Sequence, residues 1–193
     1  MVISSSHIYS KRNLDVVNTN TANKINVKRF TQNGQIQIYQ SSYRGSYPSI
    51  IRDSLRNAAL GRKVLLIQFM KGGVKQGVDN AVKLCGNLTW VRSSHSFDQY
   101  NSEEIENNKN LKESIHESTY ELWNFCKKEL LSGENDQIIL DEIFLAIEMK
   151  IIDKDDLIST LENRFISGDV ILTGTDIPKD LLLMANQITE LRS

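Results

Sequence analysis

The sequence predicts an α/β domain: a mainly parallel sheet with helices on both faces. Three observations carry that prediction. Short continuous apolar runs recur along the chain, at Val64-Leu65-Leu66-Ile67-Gln68-Phe69, Ile138-Ile139-Leu140 and Val170-Ile171-Leu172. Runs of this kind suit strands covered on both faces, as in a parallel sheet. Between them lie segments whose apolar residues recur at helical spacing. Strands that alternate with amphipathic helices build a parallel sheet wrapped on two sides.

Each element has its own signal. Residues 1 to about 28 are polar, rich in Ser and Asn, and without helical period, so they read as a flexible arm. Residues 29–193 then form a single domain. The alternating runs INVKRF and QIQIY flank Gln32-Asn33-Gly34, which predicts a hairpin. A helix begins at Pro48, whose missing N–H costs nothing in a first turn, and Gly61 is placed to end it. The Val64 run follows, then a loop opened by Lys71-Gly72-Gly73, and a short helix near Asn80 to Leu84. Leu88-Thr89-Trp90-Val91 reads as a strand, and residues 93 to about 110 as a long loop. Ile115, Thr119, Leu122, Trp123, Cys126 and Leu130 line one face of a helix from about Leu111 to Leu131, with Gly133 just past its end. Trp123 is read as core. Asp153 and Asp156 form an acidic capping box for a helix running to about Arg164. Asp176 caps a helix that starts at Pro178 and runs to about Asn186, and Ile188 to Leu191 is a last strand.

Composition narrows the partners. The 193 residues carry a formal net charge of −1, too little field to attract nucleic acid or an anionic membrane. No apolar run approaches the roughly 20 residues that cross a bilayer, and the first residues lack the apolar stretch of a secretory signal. Cys85 and Cys126 stand far apart with no metal-site spacing, which reads as two buried or half-buried thiols in a reducing compartment. A cytoplasmic protein is the expectation.

In a sheet of this class, ligands bind at the carboxyl ends of the strands. Four such ends bear chemistry: Ser41 to Pro48 after QIQIY, Met70-Lys71-Gly72 after LLIQF, Glu142 after IILD, and Thr175-Asp176 after VILTG. A hydrophobic strand ending in Asp141-Glu142 resembles a Walker B motif, where the carboxylate holds Mg²⁺; the alternative is a solvated acidic pair. Lys71 is either a ligand contact or a solvated loop lysine. His95 reads as an ordinary loop histidine.

Four segments together resemble the P-loop ATP:corrinoid adenosyltransferases that act on cob(I)alamin or cob(I)yrinic acid a,c-diamide in cobalamin biosynthesis. The similarity covers roughly Gln35 to Arg192. GRKVLLIQFMKGG resembles that family's second strand, with its signature at Gln68, Phe69, Lys71 and Gly72. QIILDEI resembles its Walker B strand, DVILTG its strand ending in Thr173-Gly174, and LLLMANQITELRS its ending at Ala185, Thr189, Glu190 and Leu191. The resemblance implies a P-loop NTPase (RecA-like) fold. It implies ATP and Mg²⁺ as cofactors, a corrinoid as substrate, and a homodimer as a possible assembly. In the family, ATP gives its 5′-deoxyadenosyl group to Co(I) of the reduced corrinoid, and triphosphate leaves. Carried over, nucleotide or corrinoid contacts fall on Ser42, Tyr43, Arg44, Gly45, Ser46, Tyr47, Gln68, Lys71, Thr173 and Gly174, and Mg²⁺ on Asp141 and Glu142.

One segment departs from the pattern. The family's loop reads G-N-G-K-G-K-T-T, and Ser41 to Pro48 stand in its place. Ser46 replaces the lysine that neutralises phosphate, and Tyr47 and Pro48 replace the hydroxyl residues that reach Mg²⁺. Arg44 keeps a positive charge two positions early. The expectation is a Walker A loop so altered that adenosyl transfer is lost or weakened; the alternative is a non-catalytic binding or regulatory protein of the same fold.

Overall fold

The computed structural model describes residues 33–42, 47–95 and 107–191. The N-terminal arm, the INVKRF run and loop positions 43–46 lie outside them. The strands are β1 (Ile36–Ser41), β2 (Val64–Gly72), β3 (Val82–Leu84), β4 (Leu88–Ser93), β5 (Gln137–Asp141), β6 (Asp169–Gly174) and β7 (Gln187–Leu191). The helices are α1 (Pro48–Ala59), α2 (Lys109–Ser132), α3 (Ile143–Glu148), α4 (Lys154–Glu162) and α5 (Lys179–Met184). One seven-stranded sheet runs in the order β3-β4-β2-β5-β6-β1-β7. Every pairing is parallel except β3 with β4.

The sheet divides the core in two. On one face Val64, Leu66, Leu88, Ile139 and Ile171 pack with Tyr47, Ile50 and Ala58 around α1. On the other, Leu65, Ile67, Val91, Ile138, Leu140 and Leu172 pack under α2 to α5 through Ile115, Trp123, Phe144, Leu157 and Leu181. Neighbouring residues of β2, β5 and β6 thus feed opposite faces. That is why those strands read as continuous apolar runs.

Several local expectations hold. Pro48 opens α1, Gly133 closes α2 in the left-handed region at φ 72°, and the Asp153 carboxylate accepts the Asp155 N–H at the start of α4. Trp123 is wholly buried.

Five expectations are corrected. QIQIY has no room for a hairpin partner, because β1 is flanked by β6 and β7, both parallel. Gly34 serves close approach instead: its N–H donates to Ile166 O at 2.7 Å, and a Cβ there would lie 2.1 Å from Gly168 O. The helix expected near Asn80 to Leu84 is a 3₁₀ turn, Val78–Asn80, followed by β3, whose exposed residues carry no apolar run to reveal it. Asp156 does not close a capping box. Its carboxylate accepts from Trp123 Nε1 at 2.7 Å and Lys127 Nζ at 2.9 Å. Burial pushes Asp156 up, and these two donors outweigh it and hold its carboxyl below the ordinary range. Asp176 is exposed and α5 has no side-chain cap. Cys85 is exposed at the β3–β4 turn, while Cys126 is buried and its thiol is pushed up by that burial.

Candidate functional site

The carboxyl ends of β2, β5 and β6 place their side chains on the α1 face. Leu66, Ile139 and Ile171 point to that face, so Gln68, Asp141 and Thr173, two residues on, do so too. Asp141 is the hub of what results. Its Oδ1 accepts the Thr173 hydroxyl at 2.8 Å, and its Oδ2 accepts Gln68 Nε2 at 2.7 Å. Lys71 Nζ stands 3.4 Å from Asp141 Oδ2 and 3.4 Å from Glu142 Oε1. Both carboxylates are buried, at 5% and 3% exposure, so the acidic pair is not a solvated strand end. Lys71 is no solvated lysine either, with 19% of its side chain exposed.

Backbone geometry brings these groups together. The register between β2 and β4 shifts between Gln68 and Gly72. The irregularity re-aims the end of β2, as bulges beside sites do, and Lys71 lies in it. Gly72 then meets β4 so closely that a Cβ would sit 1.8 Å from Ser93 O. Glu142 has φ 61°, the left-handed region that a side chain enters only when its surroundings hold it there. The Glu142 N–H donates to Thr173 Oγ1 at 3.0 Å, so one hydroxyl fixes both acids of the pair. Gly174 is packed against Phe144, 2.7 Å from where a Cβ would be.

The predicted site residues fall into two groups. Gln68, Lys71, Asp141, Glu142 and Thr173 form one connected cluster, with Gly174 beside it. Tyr47 belongs to the wall: it is 4% exposed, and its hydroxyl donates to Gly174 O at 3.0 Å. Ser42 is exposed just past the end of β1. Tyr43, Arg44, Gly45 and Ser46 lie outside the described residues. Among the described residues there is no group of three or more His, Cys, Asp or Glu placed to share a metal ion. His95 is half-buried and local in its contacts, its ring 3.2 Å from Ser94 Oγ.

Sequence reasoning missed Trp90. Its Nε1 donates to Gln68 Oε1 at 2.9 Å, which fixes the amide so that its Nε2 faces Asp141. Its face of β4 was readable, since Trp90 follows Leu88 by two residues, but its contact with Gln68 depends on β4 lying beside β2.

Comparison with known proteins agrees with this geometry. A family model described as ATP:corrinoid adenosyltransferase BtuR/CobO/CobP matches residues 32–193. The corrinoid adenosyltransferase of Escherichia coli (strain K12) is 24% identical over 162 residues, covering 83% of this chain and 78% of that protein. Corrinoid adenosyltransferase CobA of Salmonella typhimurium is 22% identical over the same length and shares. An uncharacterized protein of Nostoc sp. is 24% identical over 170 residues, 82% of this chain and 44% of its own.

Proposed function

This chain belongs to the ATP:corrinoid adenosyltransferase family, and we propose that it binds nucleotide and corrinoid weakly in the family's crevice, with adenosyl transfer lost or much slowed. The observation that carries this reading is Tyr47. It stands where the loop's hydroxyl residue belongs, and it is built into the core with its own hydroxyl spent on Gly174 O. The preceding Ser46 supplies no charge where the lysine belongs. One charge-assisted contact to phosphate contributes about 1.5–3 kcal/mol. Losing two weakens ATP binding on the order of 100-fold or more.

The acidic end supports a retained crevice. Lys71 Nζ, 3.4 Å from each acid, is a stand-in cation, and a hard divalent ion favours the same carboxylate oxygens. Asp141 has about four acceptor positions. Gln68, Thr173 and Lys71 occupy three of them, which leaves about one for an ion, and withdrawal of Lys71 adds a second. Asp141 and Glu142 would therefore hold Mg²⁺, which would supply positive charge to a polyphosphate. Gln68 and Thr173 orient Asp141, and Lys71 offsets part of the pair's charge. The crevice's cover by a second subunit and a cytoplasmic setting follow the family pattern. No helix among the described residues is long and apolar enough to cross a membrane.

Calorimetric titration with Mg·ATP, with and without corrinoid, tests the reading alongside an adenosyl-transfer assay on reduced corrinoid. Dissociation constants near millimolar and no transfer above background are expected. Micromolar ATP binding with steady turnover would sink the proposal. Ser46→Lys, which leaves the buried Tyr47 in place, should tighten Mg·ATP at least about tenfold. No gain would mean that the crevice differs beyond its loop.

A further inference from the structure

On β4, Arg92 lies two residues beyond Trp90 and shares its face. Its guanidinium stacks on the Trp90 ring, 3.9 Å from the centroid. Trp90 is itself fixed through Nε1 to Gln68, and Gln68 to Asp141. Arg92 is therefore tied by stacking to the hub of the crevice. It is half-buried. Among the described residues it makes no hydrogen bond and no ion pair, and its stacking on Trp90 is its one contact of this kind.

An arginine in that state is unusual in one respect. Stacking covers a face of the guanidinium and orders it, while its N–H groups point outward in the plane, in the fork that matches an oxyanion. A half-buried cation ordinarily finds a carboxylate, and none among the described residues pairs with Arg92. α1 meets β4 at the strand's amino end, where Asn87 Nδ2 donates to Ala58 O.

We propose that Arg92, seated on Trp90, is an oxyanion-binding residue that receives a carboxylate or phosphate of the crevice's ligand. The inference rests on the ligand-binding reading above and adds a specificity to it. Position favours the carboxylate source. β4 is separated from β1 by β2, β5 and β6, roughly 19 Å at the ordinary strand spacing. That is remote from the loop where a triphosphate would start. A corrinoid whose peripheral side chains are free carboxylates has the breadth to reach both ends, and its fully amidated counterpart lacks the charge.

The test uses the full chain and three probes: a carboxylate-bearing corrinoid, its fully amidated counterpart, and inorganic tripolyphosphate. Each is titrated into wild type, Arg92→Met and Arg92→Lys, with melting curves confirming that the variants fold. We expect wild type to prefer the carboxylate-bearing corrinoid. Arg92→Met should weaken that probe on the order of 10- to 100-fold, the range of one charge-assisted contact, and change the amidated one by less than about twofold. Arg92→Lys should restore part of the loss, because Lys keeps the charge without the planar fork. Selective loss of tripolyphosphate binding would support the oxyanion site and assign it to phosphate. Equal loss for both corrinoids, or no loss for any probe, would overturn the inference while leaving the function reading intact. Failure of every probe to bind wild type at millimolar concentration would overturn both.

Discussion

The two ends of the crevice have been treated differently by this sequence. At the β2–β5–β6 end, Gln68, Thr173 and Lys71 converge on the buried Asp141 carboxylate, and Lys71 also reaches Glu142, offsetting part of the pair's charge. At the β1–α1 end, Ser46 and Tyr47 stand where the family pattern has a lysine and a hydroxyl residue, and Tyr47 lies in the core; on our proposal this end grips phosphate poorly. A polar cluster of the first kind persists because each member satisfies another; removing one leaves the rest buried and unpaired. A phosphate loop has no such mutual support. The lysine and hydroxyl of such a loop serve the ligand and not one another. The difference teaches that an acidic strand end is weak evidence of turnover, since it is also a structural unit.

The strongest way to break that comparison is Lys71→Met. Two carboxylates at 5% and 3% exposure would lose their shared cation. Breaking a buried ion pair costs about 3–5 kcal/mol, and denaturant titration should show a loss of that order. Millimolar Mg²⁺ or Mn²⁺ should then recover part of it, because ion binding to the folded state alone stabilises by mass action. A loss under about 1 kcal/mol would mean that Lys71 does little to offset the pair's charge. A full loss without recovery in divalent ions would remove the case for a cation site there.

Gly72→Ala probes the backbone that aims Lys71. The new Cβ would lie 1.8 Å from Ser93 O, a backbone atom that cannot rotate away. Overpacking of this kind costs about 1–3 kcal/mol or more, and the β2–β4 register shift would move with it. The melting temperature should fall by several degrees. Alanine tolerated with no shift would mean that the irregularity of β2 has slack.

Much of the fold was legible because its signals are local or periodic. β2, β5 and β6 announce themselves as apolar runs, and α2 by its stripe from Ile115 to Leu130. What escaped has physical reasons. α3, Ile-Phe-Leu-Ala-Ile-Glu, is apolar nearly throughout and too short to show a period. β3 is three residues long and held by its antiparallel partner. Asn33-Gly34 carries the composition of a hairpin turn, yet its glycine answers to Gly168, which is distant in sequence. At the site, Asp141 and Glu142 were readable as a strand end, and Gln68 and Lys71 through resemblance. Trp90 and Arg92 were not, because their role depends on β4 lying beside β2, a long-range pairing.

The smallest effect sharpens the β1–α1 end. Tyr47 is 4% exposed and packs with Ile50 and Ile171, so its ring serves the core. Its hydroxyl donates to Gly174 O at the carboxyl end of β6. Tyr47→Phe keeps the ring and removes the donor, leaving a buried carbonyl one hydrogen bond short. A typical bond of this sort contributes about 0.5–1.5 kcal/mol, so a denaturation midpoint should show a loss of about 1 kcal/mol. Mg·ATP affinity should not move, because this hydroxyl faces Gly174. A variant that holds its stability and loses ATP affinity would show the opposite arrangement. It would return Tyr47 to the ligand side, and the loop end would then be a rebuilt phosphate site.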